Sequence, residues 1–147
     1  MRICLLITAA VAFCGGLLAQ TSGEDAADKR ALDAVCGACH SVSLVAGLRS
    51  EPEWMETVEQ MVGLGARGSD EQFDRLVRFL LRNLTKVNVN TAAASQIAPV
   101  LDISGAVAAA VVKRRTEIGK FQSLDELKKI PGVNGDKLEA RKDRIVF

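Results

Sequence analysis

Between Val35 and Val42 the chain reads VCGACHSV, two thiols separated by two residues and followed at once by the single histidine of the sequence. Four kinds of chemistry use such residues. A tetrahedral zinc site needs a fourth ligand, and with no second CxxC or HxxxH pair it would have to borrow a carboxylate or a second chain. A redox dithiol of the thioredoxin kind sits in a βαβ setting, which this strand-poor segment does not offer, and a structural disulfide needs only the thiols. The order C-x-x-C-H also suits covalent haem attachment. Cys36 and Cys39 would add to the two vinyl groups, and His40, the next side chain, would be delivered beneath the iron as proximal ligand.

A sixth ligand then has to be found. No other histidine exists, which leaves methionine, and past the first nineteen residues the candidates are Met55 and Met61. Both lie in SEPEWMETVEQMVGLGARGSDEQFDRLVRFLLRNL, where Ser50 with Glu53 forms a capping box that opens one helix and Ser69 with Gln72 opens the next. Trp54, Val58 and Met61 fall at i, i+4 and i+7 and share a helical face, which points either at a haem or at an ordinary core.

The elements around the motif divide the chain. Residues 1–19, MRICLLITAAVAFCGGLLA, read as an export signal, with Arg2 at the start, an apolar run too short for a membrane span, and Ala19 before the cleavage point. Cleavage removes Cys4 and Cys14; a lipid anchor at Cys14 or a retained apolar helix is the lesser alternative. The mature chain thus carries no membrane span and is expected in the periplasm, where c-type haem is attached. Residues 24–84 hold 11 acids against 7 bases, net −4, and residues 85–147 hold 7 acids against 11 bases, net +4, so the overall charge of +1 conceals two surfaces of opposite sign.

The first of these stretches, residues 24–84, resembles the small class I cytochrome c domains of bacterial electron-transfer proteins on the strength of VCGACHSV followed by EWMETVEQMVGLGARGSDEQFDRLVRFLL. The resemblance implies that Met61, ahead of the Gly63-Leu64-Gly65 turn, is the distal iron ligand and that Met55 is not. It also implies one haem c. The 20 residues between His40 and Met61 are few for that family.

The second half is built differently. KVNVNTAAASQIAPVLDISGAVAAAVVKRRTEIGKF reads as two short helices, with Asn90 or Thr91 capping the first and Gly119 ending the second. In QSLDELKKIPGVNGDKLEARKDRI a Ser123–Glu126 capping box, a Pro131-Gly132 break and a restart at Gly135 repeat the arrangement. VNVNTA, RRTEIGKF and SLDELKKIPGV, in that order, resemble the helix-hairpin-helix module of the competence DNA receptor ComEA over residues 87–147. The resemblance implies sequence-independent binding of double-stranded DNA through backbone amides and lysines at Gly132, Val133, Asn134, Gly135 and Lys137, with Lys113 nearby. In this pattern Asn134 takes the place of a glycine, and its tolerance of the left-handed conformation fits it for that position. The first hairpin, Leu101-Asp102-Ile103-Ser104-Gly105, departs from the pattern with an acid and a bulky aliphatic residue. Related modules also serve as docking units, as in a small extrinsic subunit of photosystem II.

The expectation is therefore an all-α chain, a small cytochrome c domain at 24–84 followed by a tandem helix-hairpin-helix domain at 86–147. Its expected function is exported, monohaem electron transfer with redox partner proteins. The alternatives are a DNA-uptake or DNA-binding protein with an accessory haem domain, or a haem subunit of a dehydrogenase assembled with another chain. No nucleophile–base pair or carboxylate constellation points to an enzyme.

Overall fold

The computed structural model describes residues 17–147. Most of the expected signal, with Cys4 and Cys14, lies outside the described residues. Helix α1 spans Leu17–Cys36. Its Ala-containing second half buries Ala31, Leu32 and Val35 on one stripe. The helix stops where Gly37 passes so close to the Asp33 carbonyl that a β-carbon there would lie 2.2 Å from its oxygen.

Helix α2 spans Glu51–Gly63 and α3 spans Asp70–Asn83. At the start of α3 the expected reciprocal box forms. Ser69 Oγ accepts from the Gln72 amide at 3.2 Å, and Gln72 Oε1 accepts from the Ser69 amide at 2.9 Å. At α2 only the Glu53 half forms, because Ser50 turns its hydroxyl to donate to Glu53 Oε2 at 2.7 Å, beside the Ser50 amide at 2.6 Å. Helices α1 and α3 lie against each other and are joined by Asp28, 1% exposed, which accepts from Arg78 Nη2 at 3.1 Å and faces Arg75 Nη1 at 3.7 Å. Asp25 accepts from Arg82 at 2.8 Å one turn further along. A buried carboxylate without such partners would cost heavily, so this arrangement fixes how the two helices meet. Leu32, Val35, Trp54, Leu76 and Leu80 form the core between them.

A second core is separate. Strand β1, Val87–Asn88, pairs in parallel with β2, Ile145–Val146, so the end of the chain closes on the start of this unit. Between them run α4 (Ala94–Leu101), α5 (Gly105–Ile118), α6 (Leu124–Lys128) and α7 (Gly135–Glu139). The chain is mostly helical, as expected, and the two-residue ribbon is an addition that the helical periodicity could not show. Twelve buried residues, among them Val89, Ile97, Ala108, Val111, Phe121 and Leu127, make up this core.

Two expected caps are corrected. Helix α4 starts at Ala94, after Asn90 and Thr91. Asn90 is occupied elsewhere, accepting from the Phe121 amide at 2.8 Å and donating to the Phe121 carbonyl at 2.9 Å, a backbone mimic that ties β1 to the α5–α6 turn. Ser123 makes no side-chain cap, and Glu126 instead accepts from the Gln122 amide at 3.0 Å. Gly119 ends α5, as expected, with φ 114°.

The two units meet at the C-terminus of α3. Arg141 donates from Nη1 to the Arg82 carbonyl at 3.2 Å and to the Val100 carbonyl at 3.1 Å, and Arg144 donates to the same Arg82 oxygen. Guanidinium groups suit the electronegative end of a helix. Burial, with the neighbouring charge of Arg141, pulls the Arg144 guanidinium below its ordinary pKa.

Candidate functional site: a thiol and imidazole cleft

Three segments converge on one cleft of about 460 Å³. The end of α1 and the turn after it bring Cys36, Cys39 and His40; α2 brings Trp54, Val58 and Met61; α3 brings Phe73, Leu76 and Leu80. Leu44, 68% exposed, and Leu64, 81% exposed, stand at its mouth. The volume is in the range of small-molecule and cofactor sites, and the lining is mostly apolar with a few convergent polar groups, as such sites require.

Each residue of the C-x-x-C-H motif has a local reason for its position. Gly37, between the two cysteines in space only a glycine fills, lets the chain turn tightly off α1, and its amide still donates to Asp33 at 3.0 Å. Past His40, Ser41 opens a short 3-10 turn over Val42–Leu44, its hydroxyl oxygen accepting from the Ser43 amide at 3.2 Å. The His40 Nδ1 lies 3.1 Å from the Ser41 carbonyl. A carbonyl can only accept, so in this contact Nδ1 is the donor, and Nε2 is the ring nitrogen left for a ligand.

The two methionines separate. Met61 lines the cleft, on the face it shares with Trp54 and Val58, whereas Met55 is 45% exposed and is not part of the lining. Trp54 is fixed from both sides. Its Nε1 donates to the Leu84 carbonyl at 2.8 Å, and the Arg49 guanidinium stacks 4.8 Å from the ring centroid. Arg49 also lines the cleft and donates to Thr57 Oγ1 at 3.0 Å, a role its place in a loop did not announce.

The residues present fit a covalently held haem on three counts: two free thiols, an imidazole with an available Nε2, and a thioether sharing one apolar cleft. They fit the other readings less well. Burial pushes the Cys36 thiol pKa up and the charge of Asp33 adds to this, the reverse of what an activated dithiol needs. Among the described residues no group of three or more His, Cys, Asp and Glu side chains is placed to hold a metal ion, Cys36, Cys39 and His40 included, whereas a structural zinc site needs four donors.

The residues expected at a DNA phosphate make contacts within the chain. The left-handed residue of the second hairpin is Gly132, φ 88°, and a β-carbon there would lie 2.7 Å from Val107 Cγ2, so this turn packs against α5. The expectation of a left-handed Asn134 is corrected. It is extended, with φ −88° and ψ 116°, and caps α7, accepting at 3.0 Å from the amides of both Asp136 and Lys137. The Val133 amide donates to Ile130 at 3.1 Å. The Lys137 ammonium donates to Asp102 Oδ2 at 3.0 Å, and Lys113 lies 3.8 Å from Glu117. Asp102, the acid that broke the first hairpin pattern, is the one non-glycine residue of positive φ among those described, at 55°.

The family model for the helix-hairpin-helix motif matches residues 82–146. The Bacillus subtilis "Uncharacterized protein YdcI" is 42% identical over 84 residues, covering 53% of this chain and 12% of that protein. An "Uncharacterized protein" of Haemophilus influenzae is 40% identical over 63 residues, 42% of this chain and 56% of its own length. This chain thus spans about an eighth and about half of the two relatives' lengths. No solved structure matches. The family match begins in the last turn of α3, at the residue whose carbonyl Arg141 and Arg144 share, and residues 82–146 form a helix-hairpin-helix domain.

Proposed function

We propose that this chain is an exported monohaem c-type cytochrome whose helix-hairpin-helix domain docks it to a partner. One observation carries the reading: Cys36, Cys39, His40 and Met61 line the same apolar cleft, and Met55 does not. Bound haem would supply an iron centre that takes up and releases a single electron. Cys36 and Cys39 would hold it by adding each S–H across a vinyl group, His40 would ligate through Nε2, and Met61 would ligate through its sulfur. Trp54, Leu76 and Leu80 keep water from the inner wall, and Arg49 sets one positive charge beside it. The test is the chain exported together with a haem-attachment system and then extracted with acid-acetone. Pyridine haemochrome should remain with the protein at one haem per chain, and colour leaving with the solvent would refute the reading.

A second reading is favoured by the family match: the helix-hairpin-helix domain meets duplex DNA without reading its sequence. With about 2 to 4 phosphates neutralised, the expected salt slope is shallow, about −2 to −4 in log K against log salt. Fluorescence anisotropy of labelled duplexes against the whole chain at low salt tests it. A flat titration to roughly 100 μM, weaker than ordinary non-specific binding, would leave the net +4 surface for an acidic protein.

A further inference from the structure

We infer that Lys137 and Arg141 form an anion seat between the two hairpins, that Asp102 fills this seat from within the chain, and that a phosphodiester of duplex DNA competes with Asp102 for it. The inference rests on the second reading above. Lys137 reaches Asp102 Oδ2 at 3.0 Å and Arg141 Nη2 stands 3.9 Å from the same oxygen, so two cations from the second hairpin converge on one carboxylate of the first. Arg141 is held in place by its Nη1 bonds to the Arg82 and Val100 carbonyls, and its Nη2 is the end turned to Asp102. Lys137 is engaged at both ends, its amide by Asn134 and its ammonium by Asp102.

The contact is open to competition. Both side chains of the pair are about half exposed, 59% for Lys137 and 48% for Asp102, and an ion pair of that kind is worth little. Its carboxylate presents to Lys137 the chemistry a phosphate oxygen would present. Asp102 also stands at φ 55°, ψ 49°, a left-handed cap that an uncharged glycine or asparagine would also supply.

Asp102→Asn tests this cleanly because asparagine keeps the left-handed turn and removes the charge. In anisotropy titrations of the full chain with a labelled duplex at low salt, it should bind up to roughly fivefold tighter than the parent, the most that an exposed ion pair withholds. Its salt slope should be steeper by about 1, one more phosphate being neutralised. Asp102→Glu should stay at the parent affinity, and adding Lys137→Gln to Asp102→Asn should erase the gain. Equal binding by parent and Asp102→Asn would overturn the competition while leaving DNA binding intact. A gain that survives Lys137→Gln would overturn the seat and assign the effect to net charge. No binding by any variant would overturn both the seat and the DNA reading.

Discussion

The two hydrophobic centres of this chain are completed in different ways. In the first, four of the five buried residues border a cleft of about 460 Å³ whose rim leaves Leu44 and Leu64 in solvent. In the second, twelve buried residues close on one another, and a strand from each end of the unit seals the edge. Sixty residues bury only about 60% of their surface and are marginal alone, so a unit of that size needs help. The helix-hairpin-helix domain finds it in dense packing and in Asn90, which stitches two segments 31 residues apart. The first unit keeps a cavity where the packing would be, and puts two thiols, an imidazole and a thioether around it.

The comparison breaks most visibly if the cleft needs no occupant. Cys36→Ser with Cys39→Ser should abolish covalent haem entirely, read by intact mass, and leave the first unit more open to proteolysis while the second stays resistant. Next in size is the choice between methionines. Met61→Ala in the haem-loaded protein should lose the weak red absorption of sulfur-ligated ferric iron and lower the midpoint potential, and Met55→Ala should do neither. Within the second unit Gly132→Ala should cost about 1–3 kcal/mol in urea unfolding, because the positive φ and the approach to Val107 oppose a β-carbon together. Gly135→Ala, with only Lys128 methylenes at 3.9 Å, should change stability by less than about 0.5 kcal/mol. Asp28→Asn should destabilise the first unit by about 1–3 kcal/mol, since Arg75 and Arg78 lose the carboxylate that joins α1 to α3.

How far the sequence disclosed this depended on the range of the interactions. The helix starts at Ser50 and Ser69 were legible because a cap and its partner lie three residues apart, though Ser50 turned its hydroxyl to the carboxylate instead of the helix. Trp54, Val58 and Met61 were legible as one face, and the structure places that face at the cleft. What stayed hidden was long-range. Asn90 and Ser123 look like caps locally, but Asn90 is claimed by Phe121 and Gln122 takes the carboxylate intended for Ser123. The parallel ribbon of two-residue strands is too short to leave a periodic signal. Asp102 announced itself as a break in the hairpin pattern, yet its partner Lys137 sits 35 residues away and only the folded chain brings them together.

The most direct measurement is amide hydrogen exchange of the whole chain, with and without attached haem, read by mass spectrometry. Residues 24–84 should gain protection on attachment, most strongly in the peptides carrying Val35–His40, Trp54–Met61 and Leu76–Leu80, while residues 87–147 stay as they were. Equal protection of both regions in the two forms, or a change confined to the helix-hairpin-helix domain, would contradict a haem completing the first core.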